Sequence, residues 1–562
     1  MDEATTDFVS DEEKPEVIPE ASSKNLDIED VFEECGGYGY FQLFLTLVIV
    51  FFVIVNAMLY MSMVYIGVQI PFTCFPPELN SSLIPENITS EEFLEVLNYK
   101  IDECSVIDLQ QDDSSYDLSS INSTKPRNCE RRRFDTRDMS SIVSEFDLVC
   151  ERRWLKNTAF SALFIGCLVG SLGFGILADR FGRRRLFFVG LVITLAANTI
   201  KVNSPSLLLF NIAYFFEGLG QSGSYFCTYS LMIEMLCLQH RMPLNFTLHT
   251  AFPIGSMCLA GIAYAIRDWQ HLQYAASLPH LFFFLLWTWL PESPRWLLSK
   301  KRYEEAENIL KRMAISNKRG VDGMLKILRE DVIGREKGTE LNGKAEALIA
   351  NNQTNSAAKA RKTNTIFDLI RKPHTAMLSI NIWFCWFVNS MLYYGVTMNS
   401  VDMAGSRYLN FFLMSLIELP ACIVCSYFFH WFGHRKPICF FMIFGGINCI
   451  ASNFVSKDSS WFPLILAVLG KFGCTASFDG IYLLSAEIFP TIIRISCMGT
   501  ASTFGRLGAV SAPPILGLTS YASWLPLSVF GVLGIVSGLL TLLLPEVKDA
   551  SLPQTVEDME KL

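Results

Sequence analysis

Ionisable side chains stand inside or at the ends of long apolar runs of this 562-residue chain, among them Glu217, Glu234, Glu418, Lys471, Asp479, Glu487 and Arg506. A charge held midway through a bilayer costs roughly 2.5–3.5 kcal/mol on insertion scales, so each of these groups calls for a partner or a use. Glu234 and Glu487 fall at run ends, each with an arginine seven residues on, Arg241 and Arg494, which suggests gate or anchor roles. Lys471, in Leu469-Gly470-Lys471-Phe472-Gly473, and Arg506, in Gly505-Arg506-Leu507-Gly508, fall deeper. Two cations on neighbouring helices of one cavity would favour an anionic guest. The guanidinium can grip a carboxylate with two donors, while the ammonium adds a compact point charge. Trp386, Asn389 and Tyr393 share a helical face by i, i+3, i+7 spacing. With Tyr394, Phe478, Tyr225 and Tyr229 they would line the apolar part of a guest or stack on an ammonium. The competing arrangement is internal, with Lys471 and Arg506 paired to Glu217, Glu418 or Asp479 to hold helices together. A cavity presenting Glu418, Glu217 or Asp479 would draw cations instead. His249 could titrate near neutral pH or serve as polar packing.

The elements that must position these groups are membrane-length helices. Hydrophobic residues make up 51% of the chain and charged residues 18%, with 44 Phe. That is too apolar for a soluble chain of this length. A helix needs roughly 20 apolar residues to cross the hydrocarbon core. Twelve such runs occur, near 41–66, 158–178, 186–203, 205–228, 246–266, 273–290, 376–397, 408–429, 438–455, 462–485, 499–518 and 523–544. The first lacks a small-residue cleavage site and reads as a retained span. The expected fold class is an all-α membrane protein of twelve transmembrane helices.

Two landmarks recur about 250 residues apart. Glu234 with Arg241 returns as Glu487 with Arg494, an offset of 487 − 234 = 253, and Leu290-Pro291-Glu292 returns as Leu544-Pro545-Glu546, offset 254. Phe181-Gly182 and Phe432-Gly433 agree, with offset 251. Two parallel copies can rock about a central site, opening it to one side and then the other. The expected halves are 37–296 and 374–546, joined by 297–373 and flanked by tails 1–36 and 547–562. Residues 1–36 hold 13 Asp/Glu against two Lys, a net −11 within a total of −9, and read as a disordered acidic tail. In the joining stretch, Tyr303, Ala306, Ile309, Leu310 and Met313 share one helical face, which predicts a surface helix. Residues 338–362 read as a disordered linker.

Short-loop positive charge sets the orientation. Arg180, Arg183, Arg184 and Arg185 follow the second span, and 297–373 holds 17 Lys/Arg against 10 Asp/Glu. That side and both termini are expected in the cytosol. The loop 71–155 is then outside, with Cys74, Cys104, Cys129 and Cys150 and sequons at Asn80, Asn87 and Asn122. Four cysteines there suggest two disulfides, with three possible pairings. Sequons at Asn245 and Asn352 fall inside and should stay bare.

Gly175-Ile176-Leu177-Ala178-Asp179-Arg180-Phe181-Gly182-Arg183-Arg184 joins the second and third spans. Gly182 allows a tight turn, and Asp179 could bridge the other half and lock an inner gate. The pattern resembles the signature loop of the major facilitator superfamily. Its second copy, His430-Trp431-Phe432-Gly433-His434-Arg435, lacks the acid. Glu145-Phe146-Asp147-Leu148-Val149-Cys150, Pro291-Glu292-Ser293-Pro294-Arg295-Trp296 and Ala486-Glu487-Ile488-Phe489-Pro490-Thr491 accompany it. With the cysteine-rich loop they resemble the organic ion transporter family of solute carriers, over about Phe32 to Met559. The resemblance implies a polyspecific plasma-membrane carrier of small organic ions working by alternating access. Anion-type and carnitine-type members are similar in having Lys and Arg where Lys471 and Arg506 stand, whereas typical cation members have Asp at the second place. A Lys that many anion members carry on the eighth span is absent here, where Pro420-Ala421-Cys422 stands.

No Gly-Lys-Ser/Thr phosphate loop, metal-spaced His/Cys cluster or basic-aromatic soluble face is present, so an ATP-driven pump, a metal site or cofactor and nucleic-acid binding find no support. The expected function is secondary transport of small organic anions or carboxylate-bearing zwitterions such as carnitine-like compounds. Arg506 and Lys471 would hold the carboxylate. Trp386, Asn389, Tyr393, Tyr394, Phe478, Tyr225 and Glu418 would form the rest of the site. Asp179, Arg180, Arg183, Glu234, Glu487 and Arg494 would work the gate. The expected partners are the bilayer, the small organic ion and a coupling ion or exchanged anion. The rivals are an organic cation carrier and a non-transporting receptor or scaffold.

Overall fold

The computed structural model describes residues 28–75, 99–102, 104–108, 127–129, 131–334, 366–403, 405–455, 461–491, 493–547 and 553–560. Asn80, Asn87, Asn122, Asn352 and the 338–362 linker lie outside them.

The apolar runs fold as helices. In the first half the spans are Tyr40–Met61 continued by Met63–Ile66, Leu155–Phe181, Arg183–Val202, Leu207–Glu234, Leu238–Ala265, and a sixth built from Trp269–Ser277, Leu278–Leu281 and Phe282–Leu285. The second half holds Pro373–Asn399, Arg407–Leu416 with Glu418–Phe432, Arg435–Ala451, Phe462–Ile488, Arg494–Gly517 and Leu525–Thr541. Among the described residues, eight helices are individually long and apolar enough to cross a membrane. The fourth, sixth, eleventh and twelfth spans fall short for local reasons. Glu217 and Gln221 dilute the fourth, Pro279 interrupts the sixth, Arg506 and two prolines sit in the eleventh, and the twelfth helix has 17 residues.

The second and third spans pack on the fourth, and the ninth packs on the tenth and twelfth. Between the halves, the second span meets the eleventh and the fifth meets the eighth. The second and fourth spans approach so closely that a side chain at Gly166 would strike the Phe215 carbonyl, and one at Gly218 the Leu163 carbonyl. Small residues replace the missing hydrophobic drive inside a membrane by allowing such backbone contact.

The first and last described helices, Ile28–Glu34 and Val556–Glu560, lie on one face, the terminal face, and the disulfide-bonded strands lie on the other, the loop face. Surface helices Pro294–Ser299 and Tyr303–Ser316 cover the terminal face of the first half, burying Ala306, Leu310 and Met313. The stretch expected to be a disordered tail differs at its end. Ile28–Glu34 is a helix with Val31 and Phe32 fully buried. Its Glu29 carboxylate meets Arg295 at 2.7 Å and Arg241 at 3.1 Å. Acidic composition masked two apolar anchors and a matched basic pair.

The loop face carries strands that the helical reading omitted. Phe72–Phe75 pairs antiparallel with Arg131–Phe134, and Tyr99–Asp102, Ser105–Asp108 and Arg127–Asn128 form a second small sheet. Disulfides join Cys74 to Cys129 and Cys104 to Cys150, one of the three possible pairings.

Candidate substrate cavity

A cavity of about 300 Å³ lies between the halves. Tyr225, Trp386, Tyr393, Tyr394, Glu418, Phe478 and Arg506 line it. Lys471 and Asn389 do not. Asn389 accepts from Ser477 Oγ at 2.8 Å beneath the surface. Lys471 is fully buried, with its Nζ 3.1 Å from Glu418 Oε1. It donates to Thr397 Oγ1 at 2.7 Å and lies over the Tyr393 ring. Tyr393 Oη donates to the same carboxylate at 3.0 Å. Desolvated charges persist only when paired and hydrogen-bonded in this way. The internal arrangement therefore describes Lys471, and the expectation of two cations facing a guest is corrected to one.

That one is Arg506. Its Nη1 donates to Ser222 Oγ at 3.2 Å, and no carboxylate among the described residues lies within ion-pair distance of it. Opposing it in the same cavity is Asp479, whose Oδ1 is 3.9 Å from His249 Nδ1 and which touches the Cys422 thiol. Counting Lys471 and Arg506 against Glu418 and Asp479, the centre sums to zero instead of the positive potential expected. Residues that sequence reasoning missed include Tyr60, Phe164, Phe252 and Gln221. Only an exact helix rotation could have separated these from the many other apolar residues around them. Nine aromatic side chains line the cavity in all.

On the loop face the halves meet tightly. The Tyr60 and Tyr394 hydroxyls are 3.3 Å apart, Phe164 lies 4.9 Å from the Tyr394 ring, and Tyr65 stacks on Tyr408 at 5.8 Å. Ser161 Oγ donates to the Val510 carbonyl. Toward the terminal face they meet through His249, with Asp479 and the Tyr482 ring opposite.

The duplicated landmarks fold into duplicated clusters. After Gly182 (φ +100°), the backbone N–H groups of Arg183 and Arg184 donate to Glu292. After Gly433 (φ +77°), those of His434 and Arg435 donate to Glu546. In each case a glutamate, half-buried at 292 and exposed at 546, caps the start of a span, where unpaired N–H groups and the helix dipole welcome an anion. Burial pushes the Glu292 carboxyl up, and the donations from Ser293, Arg184 and Arg183 oppose that. The carboxylate of Glu234 meets Arg183 at 3.0 Å, and that of Glu487 meets His434 at 2.9 Å. Arg241 Nε donates to the Leu236 carbonyl and Arg494 Nε to that of Phe489. Asp179, expected to bridge the halves, pairs with Arg183 of its own half at 2.7 Å. Arg180 lies over the neighbouring Phe181 ring. A side chain at Gly182 would strike Glu292, in a backbone region that only glycine occupies freely. Gly182→Ala is expected to cost about 1–3 kcal/mol, read as a lower unfolding temperature in detergent. An unshifted transition would contradict this account of the turn.

The model of the sugar (and other) transporter family matches residues 115–557. The organic cation transporter protein of Drosophila melanogaster is 32% identical over 95% of this chain and 94% of its own length. Human solute carrier family 22 member 2 is 31% identical over 95% of each. Among solved structures, the inward-open xylose transporter XylE of E. coli superposes with TM-score 0.56 at 15% identity, over 92% of this chain and 99% of its own. That likeness concerns the fold. A twelve-helix chain with duplicated glutamate-capped turns and a cavity between its halves thus belongs to the sugar (and other) transporter family, as a secondary transporter of the organic ion (solute carrier 22) type with the major facilitator fold.

Proposed function

We propose that this chain carries small organic cations across the plasma membrane by alternating access, with its terminal face in the cytosol. The observation that carries the reading is the state of the cavity's acids. Glu418 is satisfied by Lys471, whereas the partners of Asp479 among the described residues are an imidazole and a thiol, with no lysine or arginine. An ammonium entering the cavity finds that carboxylate inside an aromatic wall, where a desolvated cation–π contact is worth about 2 kcal/mol. The cation-transporter name of the Drosophila relative supports the same reading. The basic joining stretch supports the orientation.

Arg506 favours a second reading, because its guanidinium reaches the cavity with Ser222 as its one hydrogen-bond partner among the described residues. A zwitterion could set its carboxylate there and its ammonium by Asp479. Competition against labelled tetraethylammonium uptake separates these readings. Excess quaternary ammonium should block uptake and excess benzoate should not. Block by benzoate alone would return the site to anions. A betaine whose competition disappears in Arg506→Ala, while that of tetraethylammonium persists, would favour zwitterions. Binding without accumulation in sealed vesicles would indicate a receptor.

A further inference from the structure

His249 and Asp479 face each other across the line between the halves, His249 on the fifth span and Asp479 on the tenth. We propose that His249 couples cation transport to the counter-movement of a proton, the guest and the imidazolium competing for the Asp479 carboxylate. This rests on the cation reading of the cavity.

The geometry supplies a place for exchange. The Nδ1–Oδ1 separation of 3.9 Å is the outer limit of an ion pair, and the two side chains retain 38% and 26% exposure. They line the same cavity as the charged Glu418 and Arg506, the Cys422 and Cys167 thiols and the hydroxyls of Tyr60, Tyr225, Tyr393, Tyr394 and Tyr482, and of these Cys422 touches Asp479 itself. Lys471 is held by Glu418 and cannot supply the charge that Asp479 lacks. Arg506 rests on Ser222 of the fourth span. Imidazole is the side chain whose charge changes most readily between pH 5 and 8. In the unloaded carrier an imidazolium answers Asp479 and draws the fifth and tenth spans together toward the terminal face. When a cationic guest takes that carboxylate, the Nδ1–H proton passes to water in the open cavity and the neutral ring withdraws. After the guest departs, a proton from the new side restores the pair and permits return. A monovalent cation moves one way and one proton the other, with no net charge transferred.

The sign follows from the competition. Protons on the side of cation entry slow entry, and protons on the opposite side speed the return of the carrier. Purified protein in liposomes should therefore take up labelled tetraethylammonium faster when the lumen is acidic. Its own charge does not vary with pH. The expected gain is severalfold, with a ceiling of about tenfold per pH unit for one exchanged proton. External tetraethylammonium should also raise the luminal pH reported by a trapped dye. In His249→Gln the ratio of uptake with and without the gradient should fall to one, whatever the absolute rate. Wild-type uptake indifferent to the gradient, a dye that does not respond, or a gradient effect surviving in His249→Gln would each overturn the coupling while leaving cation transport standing. Absence of any tetraethylammonium uptake by wild-type protein would remove the cation reading and this inference together.

Discussion

Asp479→Asn is expected to lower tetraethylammonium uptake by about 100-fold, roughly 2.7 kcal/mol of lost binding and translocation free energy, with reconstituted protein unchanged in amount. The substitution keeps the shape of the side chain and an oxygen to accept from Cys422, so packing of the eighth and tenth spans should persist. What disappears is the one carboxylate of the cavity without a lysine or arginine partner among the described residues. Truncating one member of a desolvated charge pair commonly costs 2–5 kcal/mol, and a guest ammonium placed there would lose that interaction. Glu418→Gln provides the contrast. It leaves Lys471 buried without its counter-charge, so its main effect should be on protein abundance. Arg506→Ala should act in the opposite direction from Asp479→Asn. Removing an uncompensated positive charge from the cavity should raise cation uptake, by up to about tenfold where a charge pair is worth near 1.4 kcal/mol. Uptake by Asp479→Asn within a factor of three of wild type would show that the ammonium is held elsewhere.

The span pattern was legible in the sequence because bilayer thickness forces a long apolar run, whatever the helix later touches. The repeated Glu234/Arg241 and Glu487/Arg494 spacings were legible for a related reason. Each sits at a helix end, where backbone groups demand a partner within a few residues. The facing of Lys471 was not. Successive residues on a helix point about 100° apart, so a small error in rotation moves a side chain from the cavity to the seam with the seventh and eighth spans. Lys471 sits in that seam beside Thr397, Tyr393 and Glu418. Glu418 starts a new helical segment after a break at Ile417, and nothing in the eighth-span sequence announces that this break aims its carboxylate at the tenth span. The docked helix Ile28–Glu34 was hidden by composition, since a net charge averages over a segment while Val31 and Phe32 act singly. The loop strands have a similar cause. They are short, and their pairing is fixed by two disulfides whose partners spacing alone left open.

Lys201→Met is expected to unfold or strand the protein before any question of transport arises. Lys201 and Glu217 meet at 2.6 Å with no exposure of either side chain, on the third and fourth spans. The ammonium also donates to Gln273 of the sixth span at 2.8 Å and lies 4.6 Å from the centre of the Tyr214 ring. Breaking such a pair from one side leaves an uncompensated charge and typically costs about 3–5 kcal/mol, a large share of the 5–15 kcal/mol that stabilises a domain. Glu217→Gln alone should be nearly as harmful, because it leaves the ammonium with an amide and a ring face. The double substitution Lys201→Met with Glu217→Gln removes both charges and should recover most of the loss, since a neutral pair of similar volume carries no desolvation penalty. Thermal unfolding in detergent and surface abundance together read the cycle. Recovery in the double variant assigns the damage to the orphaned charge, and additive losses would assign it to lost packing. Neither residue lines the cavity, so the recovered double variant should transport tetraethylammonium with the pH response of the wild type. A recovered fold without that response would make this buried pair, and not His249 with Asp479, the seat of proton coupling.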